Sequence, residues 1–121
     1  MAFMDLFPMR PGHTLVIPKM HAGYVSDLTP ELRAGLFELG NRILQAQVRA
    51  GLPVQGHNLI INDGPAANQH VPHVHLHVIP RVQGDLHKAL FSFASRYMNY
   101  FGQEARRREL DGLAKRIASA M

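Results

Sequence analysis

The chain has 121 residues, 46% of them hydrophobic, which suits one compact domain with a core of its own. It has no cysteine, so disulfides and thiolate metal sites are excluded, and no apolar run approaches the roughly 18 residues of a membrane span. The formal charge of +4 fits anionic ligands such as phosphates, but no basic and aromatic interleaving marks a nucleic-acid groove. Arg106, Arg107 and Arg108 read as the wet face of a helix. The first residues lack the long apolar region of a signal peptide, so a cytoplasmic protein with neither membrane nor nucleic-acid partner is expected.

Pro8, Pro11 and Gly12 break the beginning of the chain into a turn, and His13 to Ile17 then forms a β-branched strand stopped by Pro18. Thr29 caps a helix whose first position holds Pro30, where a missing N–H costs nothing. Leu32, Leu36, Leu39, Ile43, Ala46 and Ala50 recur at helical spacing, and Gly51 and Pro53 end the run. Phe37, Leu44 and Val48 make a second stripe on this helix. Either a partner subunit or deeper burial within one subunit accounts for it. His57 to Asn62 reads as another strand, Asp63-Gly64-Pro65 as a turn, and Val71 to Ile79 as a strand stopped by Pro80. Leu90, Ala94, Tyr97 and Phe101 have loose helical spacing within the ambiguous stretch from Leu86 to Phe101. Leu110, Leu113, Ala114, Ile117 and Met121 mark an amphipathic C-terminal helix.

Five of the eight histidines fall between positions 57 and 77. Alternation along a strand puts His73, His75 and His77 on one face, about 6.6 Å apart by their Cα atoms, with Val74, Leu76 and Val78 on the other. Three imidazoles in a row supply donors, acceptors and a nucleophile, a surface suited to a di- or triphosphate. The same spacing suits a metal, and spacing alone leaves the two close to even. The preceding turn, Asn62 to Gln69, favours phosphate. Its small residues free backbone N–H groups, and Asn62 and Gln69 add neutral donors.

From His73 to Ile79 the sequence carries the complete pattern His-φ-His-φ-His-φ-φ, with φ an apolar residue, and so resembles the histidine triad superfamily. Asp5-Leu6-Phe7-Pro8, Pro11-Gly12-His13, Leu15 to Lys19 with His21, and Pro80-Arg81 extend the likeness over roughly positions 3 to 81. Asp63-Gly64-Pro65 followed by Gln69 looks like the fragile-histidine-triad branch, which cleaves dinucleoside polyphosphates. Asn62 looks more like the branch that hydrolyses nucleoside phosphoramidates.

The resemblance implies an α+β fold across a single domain from 1 to 121. Its parts are an antiparallel sheet of about five strands, a long helix from about Thr29 to Ala50 and a C-terminal helix. It implies that His75 attacks the α-phosphorus of a nucleotide and forms a covalent nucleotidyl-histidine that water cleaves, with no cofactor required. His73, His77 and His21 belong to the phosphate network. Asn62 and Gln69 bind phosphate or ribose oxygens, Asp5 holds ribose hydroxyls, and Leu6 lines the base pocket. His70 stands where a serine or threonine is common, and is either a general acid or an exposed substitution. Family chains usually carry a further segment before the equivalent of Phe3-Met4-Asp5, so this domain is expected to be N-terminally short with a more open nucleoside pocket. The family usually forms two-fold dimers. The expected function is therefore a nucleotide hydrolase or nucleotidyl transferase acting on dinucleoside polyphosphates. The alternatives are a phosphoramidate hydrolase, a nucleotide-binding regulatory module with little catalysis, and a metal-binding protein.

Overall fold

The structure, a computed structural model, describes residues 1–85 and 103–121. Four strands, β1 (Ala2–Met4), β2 (Thr14–Val16), β3 (Gly56–Ile61) and β4 (Leu76–Arg81), pair antiparallel in the order β1-β2-β4-β3. Helix α1 (Pro30–Arg49) separates β2 from β3, and helix α2 (Gln103–Ser119) closes the chain. The α+β class holds, with four strands among the described residues rather than about five. The expectation for Leu86 to Phe101 lies outside the described residues, and no described helix is long and apolar enough to cross a membrane.

α1 forms where its sequence signals put it. The Thr29 hydroxyl accepts the Leu32 N–H at 3.3 Å, satisfying one of the unpaired donors of the first turn. At the other end Gly51, at φ +74°, allows the chain to reverse. Its N–H donates to the Val48 carbonyl at 3.0 Å and the Leu52 N–H to the Gln47 carbonyl at 3.1 Å, a Schellman ending. Arg49 then donates to the Ala120 carbonyl and Arg116 to the Ala50 carbonyl, both at 2.7 Å. The two helix C-termini are thus tied together by cations that offset their partial negative charge.

One sheet face carries the core. Val16, Leu76 and Val78 are completely buried against Leu36, Ile43, Val74 and Leu28. Full burial of each such side chain stabilises the fold by about 1.5–3 kcal/mol. Gly40 brings α1 onto this face, since a Cβ there would lie 3.0 Å from Leu76 Cδ2. Leu44 packs against the same core, whereas Phe37 and Val48 remain 52% and 55% exposed. The second stripe is therefore split between core and surface.

Three expectations change. β1 pairs Ala2 with Val16 and Met4 with Thr14, although only a turn was legible near the start. β4 begins at Leu76 rather than Val71, because the Val74 N–H is taken by the Ala22 carbonyl and the His73 N–H by that of Val71, both at 2.8 Å. Pro80 lies inside β4 instead of stopping it. The Arg81 carbonyl faces β3, where it accepts the Gln55 N–H, so Pro80 faces away from β3. On that side β2 has already ended at Thr14, and no ladder bond is lost.

Beyond Pro80, the Arg81 guanidinium grips the Asp85 carboxylate through Nε and Nη2 and donates through Nη1 to Asn58. Arg10 adds a contact to the same carboxylate at 3.3 Å. The hydrogen bonds from Arg81 hold the Asp85 carboxyl down at about 2, below its ordinary 3.8.

Candidate active site

The other sheet face carries the histidines. Leu15 and Ile60 stand opposite His77 on its two neighbouring strands. Alternation adds His13, Ile17 and His75 to the same face. His75, His73, Val71, Phe3, Leu15 and Ile17 line a cavity of about 320 Å³. Apart from the two imidazoles, its wall is aliphatic and aromatic.

The His75 ring is fixed by one short contact. Its Nδ1 lies 2.7 Å from the carbonyl oxygen of His73, and a carbonyl can only accept, so Nδ1 carries the proton. The lone pair of the neutral ring is then on Nε2, where it can act as a nucleophile. His73 is oriented similarly. Its Nε2 donates to the Pro18 carbonyl at 3.2 Å, which leaves Nδ1 to accept from Nδ1 of His21 at 3.2 Å.

His77 is buried and bonds to a residue outside the triad. Its Nδ1 lies 2.9 Å from Nε2 of His13, which has no exposed surface. The Met9 N–H donates to His13 Nδ1 at 3.1 Å. In the neutral ring the His13 proton therefore sits on Nε2 and is donated to His77, whose own proton is left on Nε2. Asp5 Oδ2 approaches His13 Nδ1 to 3.5 Å, longer than a good hydrogen bond, and would pair with it as an ion only if the ring were protonated. The His75 and His77 rings meet edge to face with centroids 4.9 Å apart. His13, His77 and His75 thus form one contiguous row, while His21 reaches His73 at the outer side.

The remaining expected site residues are distributed less simply. Asp5 is buried, and its Oδ1 accepts the Phe7 N–H at 2.9 Å, so its carboxylate braces the turn that leads to His13. Leu6 is half-buried and is not among the residues that line the cavity. Asn62 follows β3 directly, and the pairing of Ile61 with Leu76 brings it level with His75. Gln69 is committed at both ends of its amide, accepting the Gly64 N–H at 2.8 Å and donating to the Gly23 carbonyl at 2.9 Å. Asp63 accepts the Val25 N–H at 2.8 Å, so the turn before the triad is clamped to the segment that follows His21. His70 is exposed beside this clamp.

Sequence reasoning passed over His13, Phe3, Leu15, Ile17 and Val71. For His13, Leu15 and Ile17 the signal, position on the histidine face, exists only once β2 is known to pair with β4. Among the described residues, Asp5, His13 and His77 form the cluster able to offer a cation three ligand atoms, all within 4.8 Å of one another. Within that cluster His13 Nε2 and His77 Nδ1 bond directly to each other.

A family model described as the HIT domain matches residues 1–84. The chain belongs to the HIT domain family. Its HIT motif is the run from His73 to Ile79, and the match ends one residue before Asp85. Over 85 residues the chain is 45% identical to an uncharacterized HIT-like protein of Mycobacterium tuberculosis, covering 70% of this chain and 58% of that one. A bis(5'-nucleosyl)-tetraphosphatase of Schizosaccharomyces pombe is 40% identical over 84 residues, 69% of this chain and 46% of its own length. An adenosine 5'-monophosphoramidase of the same yeast is 37% identical over 81 residues, 67% and 57% of the two chains. This HIT chain therefore spans about half the length of the curated relatives it matches. Among solved structures, a Hit-like protein from Bartonella henselae, described as involved in cell-cycle regulation, superposes with a TM-score of 0.76 at 30% identity. The alignment covers 99% of this chain and 78% of that one.

Proposed function

We propose that this HIT protein cleaves nucleotides at the α-phosphate, with dinucleoside polyphosphates as substrates and His75 as nucleophile. The observation that supports this most is the bond from His75 Nδ1 to the His73 carbonyl, which aims a free Nε2 lone pair from the wall of an apolar slot. In the first step Nε2 bonds to phosphorus and the bond from phosphorus to the leaving group breaks, the leaving group departing with its electron pair. The phosphorylated imidazole is cationic. Its Nδ1–H still points at the His73 carbonyl, so the charge forms against a fixed dipole. Water then attacks the phosphorus and breaks the P–N bond, releasing a nucleoside monophosphate and restoring His75. Splitting the reaction in two lowers each barrier.

The slot of about 320 Å³ with Phe3, Leu15, Ile17 and Val71 in its wall suits a flat purine base. His73, His77 and His21 are assigned to the phosphate network, with Asn62 beside His75. Gln69 and Asp5 act through the loops they brace, and no cofactor takes part. The similarity to an adenosine 5'-monophosphoramidase favours a second leaving group, an amine, on the same nucleophile. The exposed Phe37 and Val48 on α1 support a homodimer.

Turnover of diadenosine polyphosphates, their guanosine counterparts and adenosine phosphoramidate by the purified protein tests the proposal. Release of nucleoside monophosphate, with label trapped on His75 by an alkaline quench, is expected. Tight binding of the whole panel without turnover would replace it with a nucleotide-binding module.

A further inference from the structure

We infer that Gln47, a residue of α1 remote from the nucleotide slot, is a positioning residue that sets His13 and through it the row of active histidines. This inference rests on the reaction proposed above for its kinetic arm only.

Gln47 is fully buried, an expensive place for an amide. Its Nε2 donates to the Gly12 carbonyl at 2.8 Å, across 35 positions of sequence, while its Oε1 is buried without a hydrogen-bond partner. A buried carbonyl left unpaired costs about 1–3 kcal/mol, so folding alone would favour an apolar side chain here. What the amide gains is control of Gly12, the residue immediately before His13.

That turn has little freedom. Gly12 sits at φ +95°, and a Cβ on it would lie 2.4 Å from Leu52 Cδ2 and 3.1 Å from Pro80 Cγ. Its carbonyl accepts a second bond from the Thr14 hydroxyl at 2.8 Å. Gln47 also accepts the Leu52 N–H on its main-chain carbonyl, so one residue both closes α1 and holds the turn against it. The peptide fixed in this way carries His13, whose Nε2 lies 2.9 Å from His77, whose ring in turn lies against that of His75. Gln47 is not among the residues that line the slot, and its side chain bonds to the Gly12 carbonyl, so its effect runs through that carbonyl.

Gln47→Met is the discriminating variant. Methionine matches the unbranched shape and removes both the donor and the unpaired oxygen, while Thr14 still satisfies the Gly12 carbonyl. A stable fold is expected, with the thermal midpoint within a few degrees of wild type. Ring nitrogen NMR of the free protein should show wild-type His13 and His77 each protonated on Nε2, and a mixture of tautomers in Gln47→Met. On whichever substrate the wild type turns over, kcat should fall about 10-fold or more with KM little changed. Wild-type ring signals, or a wild-type kcat, in Gln47→Met overturn the inference. Failure of the wild type to turn over any nucleotide defeats the proposed reaction instead and leaves the NMR arm decisive.

Gln47→Glu guards against a variant that does not fold. A buried glutamic acid is held protonated by desolvation, and its hydroxyl can donate to the Gly12 carbonyl. Near-wild-type ring signals are expected at acidic pH, with departure from the wild type as the pH rises and the acid ionises. Tautomer mixing in folded Gln47→Glu at acidic pH, where the acid still donates to Gly12, would also overturn the inference.

Discussion

His13 Nε2 lies 2.9 Å from His77 Nδ1, joining residues 64 positions apart, and the Met9 N–H on the far side of His13 decides which nitrogen of the pair carries the proton. The two rings are tilted by 43° with centroids 5.1 Å apart, so the contact is a hydrogen bond rather than a stack. This bond connects the turn after β1 to the middle of the HIT motif. His13→Phe should fold, because the site is dry and the volumes are similar, yet should lower kcat about 10²-fold, in the range for a lost acid–base partner. Steady-state kinetics with circular dichroism on the same sample check both halves. A folded variant with unchanged kcat would remove His13 from the catalytic row.

His75→Ala should reduce kcat by about 10³ or more while nucleotide binding changes by a modest factor, since the attack is lost and most phosphate contacts remain. Calorimetric titration with a slowly cleaved substrate analogue, beside single-turnover kinetics, separates the two effects. Residual activity near the wild-type level would mean that another group is the nucleophile.

Chelation should leave turnover intact. The chain has no cysteine, and both nitrogens at the centre of the Asp5, His13 and His77 cluster are engaged with each other. Activity after prolonged dialysis against a strong chelator, with metal content measured in parallel, checks this. Loss of turnover that returns with stoichiometric zinc would make the reaction a metal-assisted one.

Phe37 and Val48 are the exposed apolar groups of α1, while Leu44 on the same stripe packs into the core. Val48→Glu should therefore convert a dimer to a monomer with the fold retained, and Leu44→Glu should damage the fold itself. A two-fold interface admits each substitution twice, which sharpens the effect. Sedimentation of the wild type at micromolar concentration as a monomer would contradict the dimer directly.

Asp85 predicts an acid-sensitive step. Its carboxyl is held at about 2 in the folded chain against an ordinary 3.8, so the group stabilises the fold above the ordinary value. That contribution should be lost as the pH falls from about 4 through 2. Asp85→Asn should melt lower at neutral pH, because Arg81 and Arg10 lose their anionic partner, and should show a flatter pH dependence below pH 4. Parallel melting curves for the two proteins in that acid range would refute the assignment.

What the sequence made legible was whatever rests on local chemistry. Thr29 and Pro30 start α1 and Gly51 ends it, because capping and a left-handed turn are decided within a few residues. Alternation put the three histidines of the HIT motif on one face, while the turn from Asn62 to Gln69 was needed to favour phosphate over a metal. β1 escaped notice because its three residues are mostly exposed and owe their conformation to pairing with β2. His21 was expected in the phosphate network from the family resemblance, and its ring lies 3.2 Å from that of His73; the buried partner of His77, His13, was not singled out. Nothing near His13 reveals a neighbour 64 positions away. The same holds for Gln69, expected to bind a ligand, whose amide accepts the Gly64 N–H and donates to the Gly23 carbonyl.

Pro80 has a bearing on how faithfully the sheet assembles. In the native pairing Thr14 stands opposite Val78, and the next outward position on β4 facing β2 is a residue without an N–H. If β2 slid two residues along β4, every side chain would keep its face, so the hydrophobic pattern would offer no resistance. Thr14 would then meet Pro80, a ladder bond would vanish, and His13 would be carried away from His77. The proline thus acts as a stop against a misregistered sheet that would look well folded and yet hold its histidines in the wrong rows.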